Sequence, residues 1–376
     1  PTMGRIFGVR HGAILPAGTD AVFTPATFDG VTSASEPEVL HITLDEVSDL
    51  ARLALLGQGA SPQQASALAD SMTRAERDGA ATHGLFRVAA YVAGMRTGKV
   101  DGTAVPVVND LAPGVAQVDA RNGFAATAFQ AGVEPLVSKA RQNGIAVLAV
   151  TNSYHVAALW PEVEELCNRG LVGLAFVSAK AFVAPVGGTE PLFGTNPMAF
   201  GWPRSNGEHM IFDQSSSASA RGRIQIRERD GKSIPEGWAI DSDGNPTTDP
   251  SAALAGAQLP FAEHKGSSMA LMVELLAGAL LGQMFSFEAS GPEYEDLATS
   301  LGGECIIAID PTRTAPAGFG GNGDFSARAE VLFAELLKQE GTRLPSAGRY
   351  VHRARSLAEG VGVPRSLVES VTALAA

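Results

Sequence analysis

The sequence predicts an α/β (α+β) fold, a helical layer followed by a sheet domain, on three observations. From Thr43 to Arg96 apolar residues recur every three or four positions, the period of one helix face. Beyond about Val105 short β-branched runs alternate with helical stretches, the texture of a sheet flanked by helices. Hydrophobic residues fill 45% of 376 positions and charged ones 18%, enough to bury a core and too apolar for a disordered chain.

Taken in order, residues 1–40 scatter Gly, Pro and Thr without a period and are expected to form an irregular N-terminal extension. Thr43-Leu44-Asp45-Glu46 is a capping box, in which hydroxyl and carboxylate satisfy each other's free amides. Leu44, Val47, Leu50 and Ala54 follow on one face, and Gly57 and Gly59 stop the helix. Ser61-Pro62-Gln63-Gln64 opens a second helix with a cap and a proline at its first position, and Gly79 ends it. A third is expected from Gly84 to Arg96, with Thr82 or His83 near its cap. Val115–Val118 and Ile145–Val150 read as strands around a helix from Phe124 to Arg141, and Trp160–Arg169 as a short helix. Leu171–Val177, Met198–Phe200, Met210–Phe212 and Glu304–Asp310 read as further strands, and Arg229–Pro260 as loops. Helices are expected from about Lys265 to Leu281, over Phe325–Lys338, and over Arg349–Ala376 with Pro364 restarting it. This gives a helical part over 41–115, completed by 330–376, and a sheet domain over 116–329.

Several function classes are excluded. The net charge of −12 argues against nucleic acid, whose phosphates need a basic face. Cys167 and Cys305 stand far apart, which gives no metal pair and no disulfide framework and fits a reduced cytoplasm. No membrane partner is expected. The most apolar run, Met269 to Leu281, carries Glu274 and is shorter than the roughly 18–20 residues of a span, so it reads as a buried core helix. The seven histidines never pair at i, i+4, there is no HExxH, and no metal is expected. Gly231-Lys232-Ser233 lacks the first glycine of a P-loop, because Ile226 stands there. Gly318 to Gly323 spells GxGxxG, but late in the chain and outside a βαβ unit, so turn glycines are the better reading.

Four stretches carry chemistry. In Asp78–Arg87, His83 stands where a helix is expected to begin, and the positive end of the dipole there lowers its pKa. Thr82 adds a hydroxyl, and Arg87 lies four residues on, a fork for a carboxylate beside a proton carrier. The bland alternative makes Thr82 a cap and His83 a surface residue. Thr151–Trp160 runs from strand to helix, where amides can hold an anion such as a cofactor phosphate, or form only a capped turn. Gly194-Thr195-Asn196-Pro197 marks a loop that a ligand could approach, or a simple turn. Glu263-His264-Lys265-Gly266-Ser267 puts two cationic groups at a helix start, against the dipole, which hints at an anionic ligand; solvation is the alternative.

In this order the stretches THGLFR, SYHVAALWPEVE, PLFGTNPMAFGWPR, FDQSSSASARGRI and HKGSSMALMVELL resemble the malate/L-lactate dehydrogenase-like NAD(P)-dependent oxidoreductases. The resemblance runs from about residue 42 to the C-terminus. Trp160-Pro161, the run after His264 and Phe285-Ser286-Phe287-Glu288 are most similar to the Δ1-piperideine-2-carboxylate/Δ1-pyrroline-2-carboxylate reductases. The resemblance implies a largely antiparallel, non-Rossmann NAD(P)-binding sheet domain, a homodimer, and NADPH as cofactor with NADH possible. His83, with Thr82, would be the acid/base group; Arg87 would hold the substrate carboxylate and Thr195 would lie near C2. His155, Val156, Ala157, Ala158 and Leu159 would line the nicotinamide and phosphates. Asp213, Gln214, Ser215, His264, Lys265 and Arg328 would contact the cofactor. Two positions depart from the subgroup: Thr82 replaces a serine, and Arg223 replaces an acidic residue that orients the pair. The implied reaction is reduction of a cyclic imino acid. The alternatives are a 2-hydroxyacid dehydrogenase and a catalytically silent NAD(P)-binding protein.

Overall fold

The computed structural model describes residues 38–299, 301–314 and 325–375; residues 1–37 and the Gly318–Gly323 motif lie outside them. Strand β1 (Val39–Ile42) leads into helix α1 (Leu44–Gly57). The Thr43 box forms, with the Thr43 amide donating to Glu46 at 2.7 Å and the Glu46 amide to the Thr43 hydroxyl at 3.2 Å. Ser61 caps α2 (Pro62–Arg77). Gln64 is more than a cap residue. It is fully buried, donates to the Ala104 carbonyl at 2.7 Å and accepts from the Thr127 hydroxyl at 2.6 Å, which ties α2 to the loop before residue 107 and to the helix that carries Thr127.

The third expected helix starts late. Residues 81–83 and 85–87 form two separate 3₁₀ turns, and α3 spans only Val88–Arg96. The cause is a carboxyl from α2. Glu76 Oε1 accepts the Leu85 amide at 2.9 Å, and Gly84 between the turns is extended at ψ −141. Only glycine fits, because a Cβ there would stand 2.0 Å from Glu76 Oε1.

Strands β2 (Val107–Ala112) and β3 (Val115–Asp119), helix α4 (Ala125–Asn143), strand β4 (Ile145–Tyr154), helix α5 (Trp160–Asn168) and strands β5 (Val172–Val177), β6 (Met198–Trp202) and β7 (Met210–Gln214) follow. They form a seven-stranded sheet in the order β2-β3-β4-β11-β5-β6-β7, with β11 being Leu301–Ile309. Every neighbouring pair is antiparallel except β3 and β4, which α4 connects. The sheet is therefore not doubly wound. Its central strands read as unbroken apolar runs because both faces are covered. Leu148, Val150, Ile306 and Ala308 meet α4 and α5 residues on one face, and Phe176 and Cys305 meet Val273 and Ala277 on the other.

Helix α6 (Arg221–Arg229) comes before the stretch read as loops, which holds small elements of its own: β8 (Ala239–Ile240), β9 (Pro246–Thr247), α7 (Pro250–Ala255) and β10 (Ala257–Gln258). Two-residue strands are too short to show a period. Helix α8 (His264–Val273) passes into a π turn at Glu274–Gly278 and a 3₁₀ turn at Ala279–Leu281. The expected buried core helix is buried on one side only. Leu271, Met272, Leu275 and Leu280 are exposed, by 50%, 37%, 52% and 63%. After α9 (Pro311–Thr314), α10 (Phe325–Leu337) and α11 (Ala347–Glu359), a strand interrupts the expected terminal helix. It is β12 (Val361–Pro364), followed by α12 (Arg365–Ala373). β12 pairs antiparallel with β1, Val39 opposite Pro364 and Ile42 opposite Val361. That pairing also makes residues 39 and 40 regular, inside the stretch expected to be irregular. Val361, Val363 and Val371 join the core of α1, α2 and α3.

Two predictions concern this frame. Burial raises the Glu76 carboxyl to about 7, against the Leu85 amide, which favours the anion. Between 4.5 and about 7 the folded chain keeps a proton that the unfolded chain releases, so stability falls as pH rises through that window, by at most about 3 kcal/mol. Glu76→Gln keeps the acceptor without the charge. It should match wild type near pH 4.5 and exceed it at pH 8; urea midpoints at both pH values check this, and a lower midpoint at pH 8 contradicts it. Gly132 lets α4 lie on the sheet, since a Cβ there would come 2.7 Å from Leu148 and 2.9 Å from Val118. Gly132→Val should cost about 1–3 kcal/mol, read from the same denaturation.

Candidate active site

The two 3₁₀ turns place Thr82, His83 and Arg87 together. The Thr82 hydroxyl lies 3.1 Å from His83 Nδ1 and caps no helix. His83 closes a 3₁₀ turn, so the helix dipole invoked from sequence does not act on it. Its pKa does fall, to about 3, because of burial first, then the Arg87 charge, then His155. Burial also lowers the Arg87 pKa, while Tyr91 and Tyr154 oppose that shift. Arg87 Nε is buried without a hydrogen-bond partner among the described residues, and the guanidinium stands 5.5 Å from the Phe86 ring centre. A buried cation with no carboxylate beside it is costly unless an anion arrives.

The start of α6 closes over this pair. A Cβ on Gly222 would lie 3.2 Å from Arg87 Nη2 and 3.9 Å from Thr82 Cβ. Beside the start of α6 runs a groove of about 290 Å³, lined by Gln214, Ser215, Ser217, Ser219, Arg223 and Phe261 among others. The Thr195 carbonyl holds the neighbouring Ser216, accepting its amide and hydroxyl, both at 2.9 Å. Phe261 links the groove to α8, because its carbonyl accepts the Gly266 amide at 2.9 Å. Before α8, Ala262 and Glu263 both take positive φ, 44° and 54°. This strained corner, of a kind that gathers at functional sites, sets His264 and Lys265 exposed at the start of α8. Asn196, next to Thr195, also has φ 40°. Its side chain donates to Ala270 at 3.1 Å and Glu274 at 2.7 Å and accepts from Ala179 at 3.2 Å. Gly194 is required here by its own chain, since a Cβ would stand 2.5 Å from Asn196 Oδ1.

The His155–Leu159 segment follows β4, which runs four residues beyond the expected strand. His155, Ala158 and Leu159 are buried; Val156 and Ala157 are half-buried. The anion at the start of α5 belongs to the chain itself. Asp213 Oδ2 accepts the Leu159 and Trp160 amides at 2.8 and 3.0 Å. The expected capture of a cofactor phosphate by these amides is therefore corrected: Asp213 already satisfies them, and it reaches the segment as a brace. Arg349 stacks on Trp160, 4.6 Å from the ring centre.

The residues thus fall into three sets. Gln214 and Ser215 line the groove, Thr82, His83 and Arg87 lie together under Gly222, and His264 and Lys265 are exposed at the start of α8. His155 is coupled to His83 by charge and is held with Leu159 and Asp213 in the neighbouring segment. Arg328 is exposed on α10 and does not line the groove. That helix docks by Phe325 on Trp202, at 6.0 Å, and by Glu330 on Arg204, at 2.7 Å. The groove is lined by the Ser215, Ser217 and Ser219 side chains, and the Arg87 Nε is buried without a hydrogen-bond partner among the described residues. Sequence reasoning missed Glu162 and Glu304, buried carboxyls beside His155. The signal was a glutamate in the apolar run Leu301–Ile309.

The sequence profile of the malate/L-lactate dehydrogenase family matches residues 42–372. The Δ1-pyrroline-2-carboxylate/Δ1-piperideine-2-carboxylate reductase of Pseudomonas aeruginosa is 47% identical over 336 residues, 89% of this chain and 99% of that one. The Δ1-pyrroline-2-carboxylate reductase of Ancylobacter novellus is 46% identical over 337 residues, 90% of this chain and 98% of that one. Among solved structures, Δ1-piperideine-2-carboxylate reductase from Pseudomonas syringae superposes with a TM-score of 0.83 at 42% identity, covering 89% of this chain and 99% of that one. No helix among the described residues is long and apolar enough to cross a membrane. A match over most of its length, with relatives this similar, means that the chain belongs to the malate/L-lactate dehydrogenase family of oxidoreductases.

Proposed function

We propose that the protein reduces Δ1-pyrroline-2-carboxylate and Δ1-piperideine-2-carboxylate to L-proline and L-pipecolate with NAD(P)H. The observation that carries this is the buried guanidinium of Arg87, without a carboxylate partner, next to His83. The names and identities of the relatives support the substrate class. Arg87 binds the substrate carboxylate and Thr195 fixes C2. When bound, the nicotinamide supplies a hydride to C2. His83 keeps Nδ1 on the Thr82 hydroxyl and moves a proton from Nε2 to the ring nitrogen, so one hydride and one proton convert imine to amine. Burial is the main depressor of His83 and the Arg87 charge the second; a substrate carboxylate on Arg87 offsets the second and raises the proton affinity of His83 in the complex.

The part over 41–115 with 330–376 carries Thr82, His83 and Arg87, and 116–329 holds the cofactor and contributes Thr195. His155–Leu159 and Gln214–Ser215 line the nicotinamide end, and Asp213 braces that segment. His264 lies at the start of α8, and Lys265 and Arg328 are the exposed cations for a 2′-phosphate, which favours NADPH while NADH remains usable. The exposed Leu271, Met272, Leu275 and Leu280 are the apolar row that a second copy would cover in a homodimer. Two free, buried thiols suit a cytoplasmic site. A second reading, a 2-hydroxyacid dehydrogenase, is favoured by Arg223, a cation in the groove where a second carboxylate would sit.

His83→Ala should lower kcat/KM about 10²–10⁴-fold and leave NADPH affinity, read by fluorescence titration, nearly unchanged. A loss under threefold removes His83 from the role. A panel of both cyclic imines, pyruvate and oxaloacetate, followed by NADPH and NADH oxidation, tests the substrate class. The imines should be reduced faster than either oxo acid; a tenfold preference for an oxo acid establishes the second reading instead.

A further inference from the structure

A buried cluster lies at the start of the His155–Leu159 segment, and its side chains take no part in the hydride or proton step above. His155 follows β4, Glu162 sits in the first turn of α5, and Glu304 lies on β11 between β4 and β5. Side chains alternate along a strand, so Glu304 shares the face of Ile306 and Ala308, under α4 and α5. The three residues are 9%, 6% and 0% exposed. His155 Nε2 stands 4.0 Å from Glu162 Oε1, and one ligand atom from each residue lies within 4.8 Å of the other two. Yet they do not hydrogen-bond to one another. His155 Nε2, Glu162 Oε2 and both Glu304 oxygens have no partner among the described residues.

Atoms this far apart share a point within about 2.8 Å of all three, close to the roughly 2.0–2.6 Å of metal–nitrogen and metal–oxygen bonds. His155 Nε2 has no hydrogen-bond partner among the described residues, which leaves it open to act as the ligating nitrogen, as in metal-binding histidines held through the other ring nitrogen. Burial holds both carboxyls above the ordinary carboxylate range, so they are costly to ionise as they stand, and one divalent cation would displace their protons and balance both charges. A cleft of about 340 Å³ between α2, α4 and α5 reaches Glu162 and gives a route from solvent; Asp70, Glu134 and Glu165 line it together with Arg74 and Arg169.

We propose that His155, Glu162 and Glu304 form a buried site for one divalent transition-metal ion, Zn²⁺ or Mn²⁺. One nitrogen and two carboxylate oxygens suit these ions better than the all-oxygen shells of Ca²⁺ and Mg²⁺. The ion joins β4, α5 and β11 and fixes the start of the His155–Leu159 segment. The site stands on its own geometry, whichever substrate the groove takes.

The test is metal content and thermal stability of the untagged protein. Elemental analysis after dialysis should find about one ion per chain, or the chelator-stripped protein should rise in Tm by about 3 °C or more with Zn²⁺ or Mn²⁺, saturating at one equivalent. Glu304→Gln and Glu162→Gln keep the shape and remove a charge, and each should abolish both signals. Should Glu304→Gln not fold, Glu162→Gln and the wild-type titration decide. No bound ion and no response of wild type to either metal overturns the proposal. Binding that persists unchanged in the variants means an adventitious ion only, and overturns it too.

Discussion

The bond from the Leu85 amide to Glu76 Oε1 governs how the substrate side of this molecule is presented. Without it, the sequence from Gly84 onward would continue as one helix, as its apolar spacing predicts. With it, the chain forms two tight turns about Gly84, and Thr82, His83 and Arg87 come from turns rather than from one helical face. The bond has a cost, because the carboxyl that accepts the amide is buried and pushed up to about 7. The α2 core beneath it must supply the difference. Leu68, Met72 and Leu85 are at most 1% exposed and lie in the same cluster, and such burial is worth about 1.5–3 kcal/mol per side chain.

Arginine placement separates scaffold from site. Arg353 on α11 bonds Asp78 at 2.6 Å and Glu164 at 2.7 Å, and Arg77 shares Asp78 at 2.7 Å. These paired charges hold α11, α2 and α5 together, and the carboxylates raise the Arg353 pKa further. Arg87 is treated in the opposite way. It is buried against Tyr91 and Tyr154, with no carboxylate partner and with its field directed at His83. Arg349 and Arg221, both half-buried, also have no carboxylate partner among the described residues, but they stack on Trp160 and Phe182, whereas the field of Arg87 falls on His83, where it adds to the larger effect of burial.

What the sequence made legible was local. The Thr43 box and the Ser61-Pro62 start are decided by neighbours three residues apart, and both form as expected. The strands around Ile145 and Glu304 show because continuous apolar runs need cover on both faces. What the sequence hid is set by distant partners. Asp213 caps a helix 53 residues earlier, a contact that no spacing rule contains. The β1–β12 pair joins the two ends of the described fold, and its four-residue strands are too short to show alternation. The run after Met269 is apolar on every side but for Glu274, which is itself buried, so composition alone could not reveal that Leu271, Leu275 and Leu280 would remain exposed. His83 was expected to feel a helix dipole. Its pKa falls for another reason, burial beside Arg87, which only the tertiary arrangement supplies.

The two walls of the groove are held unequally. On the sheet side, Asn196 keeps a left-handed backbone because three buried bonds fix its amide, and Glu274 returns to Ser286 to complete that network. Such strain persists only where surroundings over-determine it, so this wall is rigid. The α6 wall has no side-chain cap and buries only Gly222 and Ile224. Local stability follows buried apolar contact, so α6 is the less strongly held side. The fold therefore sets Thr195 and Ser216 against the rigid wall, joined by two hydrogen bonds to the Thr195 carbonyl, and brings Gly222 over Arg87 on the less strongly held side, where a Cβ would stand 3.2 Å from Arg87 Nη2.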